Sequence, residues 1–141
     1  MTTDLWCLVV LTLWTIPLFY AAPIGKMRRV GVGWGISSRE VEPPMEPWMG
    51  RAERASNNHK ENLPMFAIIV LILHVTGKHD DVTAATSMVY VVSRMLHAVF
   101  YWFAIETLAL RSVVYFVALG ALFKTRQRLE QPNFMLVSRL A

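Results

Sequence analysis

RAERASNNHKENLPMFAIIVLILHV, residues 51–75, decides the fold. Arg51, Arg54, Asn58 and Glu61 recur at spacings of 3, 4 and 3 and lead into the apolar run Leu63 to Val75. At about 100° per residue these four lie within about 80° of one another on a helix. A soluble helix carries such a stripe at no cost. A helix entering a bilayer does so only if the stripe faces protein or a water-filled pocket.

The whole chain decides between the two. It is 55% hydrophobic and only 17% charged, against about 45–50% apolar and about 25% charged for soluble domains. The apolar residues come in blocks, as in a membrane protein. The net charge of +4 raises the question of nucleic acid. The basic residues flank apolar blocks and form no patch interleaved with aromatics, so no nucleic-acid partner is expected. Cys7 is the one cysteine, so no internal disulfide forms, and it reads as a buried inert thiol. The histidines 59, 74, 79 and 97 have no metal-ligand spacing, and no metal is expected.

Four helices account for the blocks, at about 5–25, 48–76, 82–105 and 108–123, with a basic tail over 124–141. The first is uncharged, and Met1-Thr-Thr-Asp4 lacks the basic start of a signal peptide, so a retained helix is favoured over a cleaved leader. Residues 26–48 hold Lys26, Arg28, Arg29 and Arg39 and end in Glu42-Pro-Pro-Met-Glu-Pro-Trp48, which reads as a loop at the membrane surface. The Lys and Arg of this loop place it in the cytoplasm, with both termini outside, although Lys124, Arg126 and Arg128 pull the other way. Gly77 to Asp81 is a tight turn, and Glu106-Thr107 is so short that the third and fourth helices must run antiparallel. The expected fold is an all-α membrane protein, an antiparallel bundle of four transmembrane helices forming one domain over 1–123.

Topology then gathers the polar residues. The stripe occupies the first half of the second helix. Arg94, His97 and Tyr101 share a face late in the third, and Arg111, Ser112 and Tyr115 open the fourth. All three sets fall at one end of the bundle, where they imply a polar pocket. Pairing of Glu61 with Arg54 or Arg94 as structural glue is the plainer reading. Yet Arg51, Arg54, Arg94 and Arg111 outnumber Glu61, and the excess cation asks for a small acidic ligand held by arginine forks.

The pattern Arg54-Ala55-x-x-Asn58-x-x-Glu61-x-x-Pro64-x-Phe66 resembles the signature of the MAPEG family, the membrane-associated proteins of eicosanoid and glutathione metabolism. Arg94-x-x-His97-x-x-x-Tyr101 resembles that family's third helix, and Leu110-Arg111-Ser112-x-x-Tyr115 the start of its fourth. Residues 1–123 carry the likeness, which is strongest to the short bacterial members. The resemblance implies a homotrimer in the bacterial inner membrane, with glutathione as co-substrate between adjacent subunits on the cytoplasmic side. It implies that Arg54, Asn58, Glu61, Arg94 and Tyr101 hold the tripeptide, with Arg51, His97 and Tyr115 as further pocket residues. Arg111 would face the thiol and Ser112 would assist. Ser56 and Asn57 depart from several eicosanoid-type members, which have a His and a basic residue there.

The expected activity is that of a glutathione transferase or peroxidase acting on lipophilic small molecules from the surrounding lipid. The alternative is a non-enzymatic member that binds an anionic lipid or small ligand in the same pocket.

Overall fold

The computed structural model describes residues 1–104 and 108–130, without the side chains at 108, 109 and 111. The expected connection at Glu106-Thr107 and the tail from 131 onward lie outside the described residues.

The described residues form four long helices and one short one: α1 (Thr3–Val30), α2 (Val32–Ile36), α3 (Pro47–Val75), α4 (Asp81–Trp102) and α5 (Leu108–Glu130). There is no strand among the described residues. By length and composition, α1 and α4 are apolar enough to cross a membrane. The second apolar block does not qualify alone, because its first half is the polar stripe. α1 packs on α3 and α4, and α5 packs chiefly on α4.

Local chemistry explains the helix ends. Pro47 opens α3, where its missing N–H costs nothing. At the other end Gly77 adopts φ +65°, Gly77 N–H donates to the His74 carbonyl at 3.2 Å, and Lys78 N–H donates to the Leu73 carbonyl at 2.9 Å. This is a Schellman stop, and it needs a residue tolerant of the left-handed region. Asp80 then caps α4: its Oδ1 accepts from Thr83 N–H at 2.8 Å, while Thr83 Oγ1 accepts from Asp80 N–H at 3.0 Å.

Four features differ from the sequence reading. α4 ends at Trp102, short of the expected 105, because the chain turns at Phe103 and Ala104, where Ala104 takes a positive φ of 51°. α1 runs to Val30, beyond the expected end near 25, and Pro17 and Pro23 both lie inside it. α5 continues to Glu130, beyond the expected end at 123, so the first third of the tail is helical. Its last residues are good helix formers, and Arg126 pairs with Glu130 one turn on at 2.8 Å. The short α2 interrupts a segment read as loop throughout.

The core draws on every long helix: Cys7 and Leu11 of α1, Phe66 and Val70 of α3, Tyr90 and Val91 of α4, Ala118, Ala121 and Leu122 of α5. Two polar ends bracket it. At the end away from the α1–α3 loop, Asp4 is only 3% exposed and accepts from Ser87 Oγ at 2.7 Å and Thr83 Oγ1 at 3.3 Å. There Lys78 Nζ also donates to the Leu129 carbonyl, Arg128 pairs with Asp80 at 3.2 Å, and Thr86 and Thr125 hydroxyls meet at 2.8 Å.

At the loop end Lys26 is 5% exposed and bonds Glu42 and Glu53, each at 2.8 Å. Arg29 pairs with Glu46 at 2.9 Å. Two of the loop's four cations are thus spent on holding the loop to α1 and α3. Lys26→Met keeps the aliphatic stem but leaves two carboxylates facing each other. It should cost about 1–2 kcal/mol of stability, less than a fully buried pair because both carboxylates reach water. Thermal unfolding in detergent checks this; an unchanged melting temperature would mean that the clamp contributes nothing.

Candidate functional site

Arg94 is the centre of the polar end. It lies on α4 and is 3% exposed. Its Nη2 donates to Asn58 Oδ1 at 2.7 Å and to the Asn58 backbone carbonyl at 3.0 Å. Its Nε and Nη1 are buried and have no hydrogen-bond partner among the described residues. No carboxylate forms an ion pair with it among the described residues. A buried guanidinium with unmet donors costs several kcal/mol. Burial makes a partner for this arginine necessary, and the described residues supply one only for Nη2.

Beside it lies an open cavity of about 260 Å³. Asn58 of α3, His97 and Tyr101 of α4, and Ser112, Tyr115 and Phe116 of α5 line it. The three helices meet at one end of the bundle, so these residues converge although they are up to 58 positions apart (116 − 58). His97 is 5% exposed, with Tyr101 edge-on at 5.1 Å and Tyr115 tilted at 6.0 Å between ring centroids. Three titratable side chains and a hydroxyl thus face one small volume.

Five of the ten expected site residues line this cavity: Asn58, His97, Tyr101, Ser112 and Tyr115. Arg94 reaches it through Asn58. Arg51 is half-buried and donates from Nε to the Trp102 carbonyl at 3.3 Å, tying α3 to the end of α4. Arg54 and Glu61 are on the exposed side of α3. Among the described residues Glu61 pairs with neither Arg54 nor Arg94, so the structural-glue pairing is not formed there. Arg111 stands in the first turn of α5, one position before Ser112, and its side chain lies outside the described residues.

Sequence reasoning passed over four neighbours. Phe116 is the one apolar wall of the cavity and is 65% exposed. Its place one turn after Ser112 was the available signal. His59 is buried, with Nε2 3.0 Å from Thr15 Oγ1 and 3.2 Å from the Leu11 carbonyl, and so pins α3 to α1. Asn62 and Tyr90 sit directly behind Asn58. Nothing in their spacing separates them from packing residues.

The MAPEG family profile matches residues 5–124. The chain belongs to the MAPEG family. No curated protein and no solved structure matches it. MAPEG proteins are membrane helical bundles, and membership makes this all-helical chain with its apolar α1 and α4 a membrane protein. The match spans all four long helices, so it takes in the cavity and Arg94. As a MAPEG protein, the chain has a broad function in the membrane-associated glutathione and eicosanoid field.

Proposed function

We propose that this MAPEG protein is a glutathione-dependent transferase or peroxidase that works as a homotrimer with four membrane spans per subunit. The observation that carries this reading is Arg94: a buried guanidinium, two donors unmet, next to a cavity lined by polar side chains. An acidic ligand with several hydrogen-bonding groups would meet those donors. Glutathione is such a molecule, with two carboxylates, one ammonium and a thiol.

The residues fit its parts. Arg94, with Arg51 and Arg54, suits the carboxylates, since guanidinium forks match them in pairs. Glu61 suits the ammonium. Its exposure, like that of Arg54, suits a ligand that lies between this subunit and the next. Asn58 and Tyr101 orient the peptide part, and His97 and Tyr115 complete the wall. Arg111, near the positive end of α5, stabilises the thiolate, and Ser112 donates to the same sulfur. The chemistry that remains is attack by that thiolate on an electrophilic carbon, or on a peroxide oxygen. At carbon, the leaving group is expelled, or a conjugated double bond is opened and protonated. At oxygen, the O–O bond breaks, the alcohol is released, and the glutathione sulfenic acid condenses with a second glutathione to the disulfide and water. Positioning and charge stabilisation supply the rate. The lipophilic acceptor comes from the membrane lipids, past Phe116. We place the protein in a bacterial inner membrane as a multi-pass protein, with loop 26–48 in the cytoplasm.

Titrating the detergent-purified protein with glutathione at neutral pH tests the reading through the ultraviolet thiolate band. A band that saturates with glutathione is expected. Calorimetric binding without the band would favour the non-enzymatic reading. Neither binding nor band would overturn glutathione as the ligand.

A further inference from the structure

Asn62 and Tyr90 lie outside the cavity lining, yet both are wired to it. Asn58 and Asn62 are one turn apart on α3, and Tyr90 and Arg94 are one turn apart on α4. Two polar rungs join the helices there. Tyr90 Oη donates to the Asn62 backbone carbonyl at 3.2 Å, and Arg94 donates to Asn58 at 2.7 and 3.0 Å. A third bond ties the rungs together: Asn62 Nδ2 donates to the Asn58 carbonyl at 2.7 Å. That carbonyl therefore accepts from Asn62 and Arg94 at once. The Tyr90 ring is stacked on Phe66 at 4.4 Å between centroids and 13° between planes, and both are buried.

Packing alone does not account for this choice of residues. A leucine or phenylalanine would fill either space without bringing polar atoms into a membrane bundle. Pro64 supplies a reason for them. It has no N–H, so the Lys60 carbonyl loses its helical donor, and the ring crowds that carbonyl. α3 is weakened one to two turns from Asn58, where the site needs it held.

We propose that Asn62 and Tyr90 are positioning residues, fixing Asn58 and through it holding the two free donors of Arg94 where the anion binds. This rests on the glutathione reading. The support acts through Arg94, so its effect must vanish when the guanidinium fork is gone.

The test is a double-mutant cycle on the full chain in detergent, read as glutathione Kd by calorimetry. Tyr90→Phe keeps the ring stack and removes one donor. It should raise Kd by about fivefold, the worth of one hydrogen bond. In an Arg94→Lys background the same change should move Kd by less than about twofold. Asn62→Leu should behave in the same way. An unchanged Kd in Tyr90→Phe, or an equal shift in both backgrounds, overturns the proposal; a purely structural role would lower the melting temperature and leave Kd alone. If the parent binds no glutathione, the glutathione reading fails and the positioning role falls with it. A parent that binds glutathione and a Tyr90→Phe variant that binds it equally well overturn the positioning role alone.

Discussion

Arg94→Leu should abolish tight glutathione binding while leaving the ligand-free protein as stable as before, or more so. The two halves of this result have one cause. Arg94 is buried, and two of its nitrogens have no partner among the described residues. Its desolvation is therefore unrepaid until an anion arrives. Removing one member of a satisfied buried ion pair is strongly destabilising because a charge is stranded. Here no carboxylate among the described residues is stranded. What is left behind is Asn58 Oδ1, a neutral acceptor next to a cavity. Leucine keeps the bulk of the aliphatic stem, so little cavity is created. The anion, by contrast, loses charge-assisted bonds worth roughly 1.5–3 kcal/mol each, a fall in affinity of about 10-fold to 100-fold or more. Calorimetry and a melting curve on the same preparation decide the matter. A drop of several degrees with binding intact would mark Arg94 as a structural residue and remove the main support for the ligand.

The second large effect is expected at Arg111. Arg111→Ala should lower conjugation by about 100- to 1,000-fold, the usual loss when one donor to a developing anion is removed. Glutathione affinity should change by only a few fold, because the carboxylates are held elsewhere. The thiolate band should disappear at neutral pH. A loss of affinity with the band preserved would move Arg111 from the sulfur to the peptide. Full conjugation would end its assignment to the thiol altogether. Ser112→Ala is the companion variant, with a smaller loss because a neutral donor stabilises a thiolate less than a guanidinium does.

Much of the site was legible before any coordinates because a bundle forces it. Short connections make neighbouring helices antiparallel, so the first half of one and the last half of the next share an end. Asn58, His97, Tyr101, Ser112 and Tyr115 could be placed together on that argument alone, and they line one cavity. What sequence could not supply was the division of labour among the polar groups. Asn58 and Arg94 both read as ligand residues, yet they bond to each other. Asp4 read only as the absence of a basic leader. Its partners Ser87 and Thr83 sit one turn apart in a run of small residues with no outward mark of a polar seat. The end of α5 is hidden in the sequence because the apolar run stops at Phe123 and a basic stretch with no apolar period follows. Lys124, Arg126 and Arg128 are strong helix formers all the same, and Thr125 among them is buried against Thr86.

That last stretch of α5 sets an order of assembly. The turn between α3 and α4 is fastened by the Leu129 carbonyl and by Arg128, to Lys78 and Asp80 respectively. On a ribosome these two fasteners emerge 51 and 48 residues after the positions they secure (129 − 78 and 128 − 80). Until the fourth long helix is made, the α3–α4 turn lacks these two fasteners. It keeps its own caps, the Arg94–Asn58 and Tyr90–Asn62 bonds between its helices, and the contacts of α1, Asp4 among them. A polypeptide stopped at Phe123 would contain every lining residue of the cavity and lack the bonds of Leu129 and Arg128 to the turn at the far end.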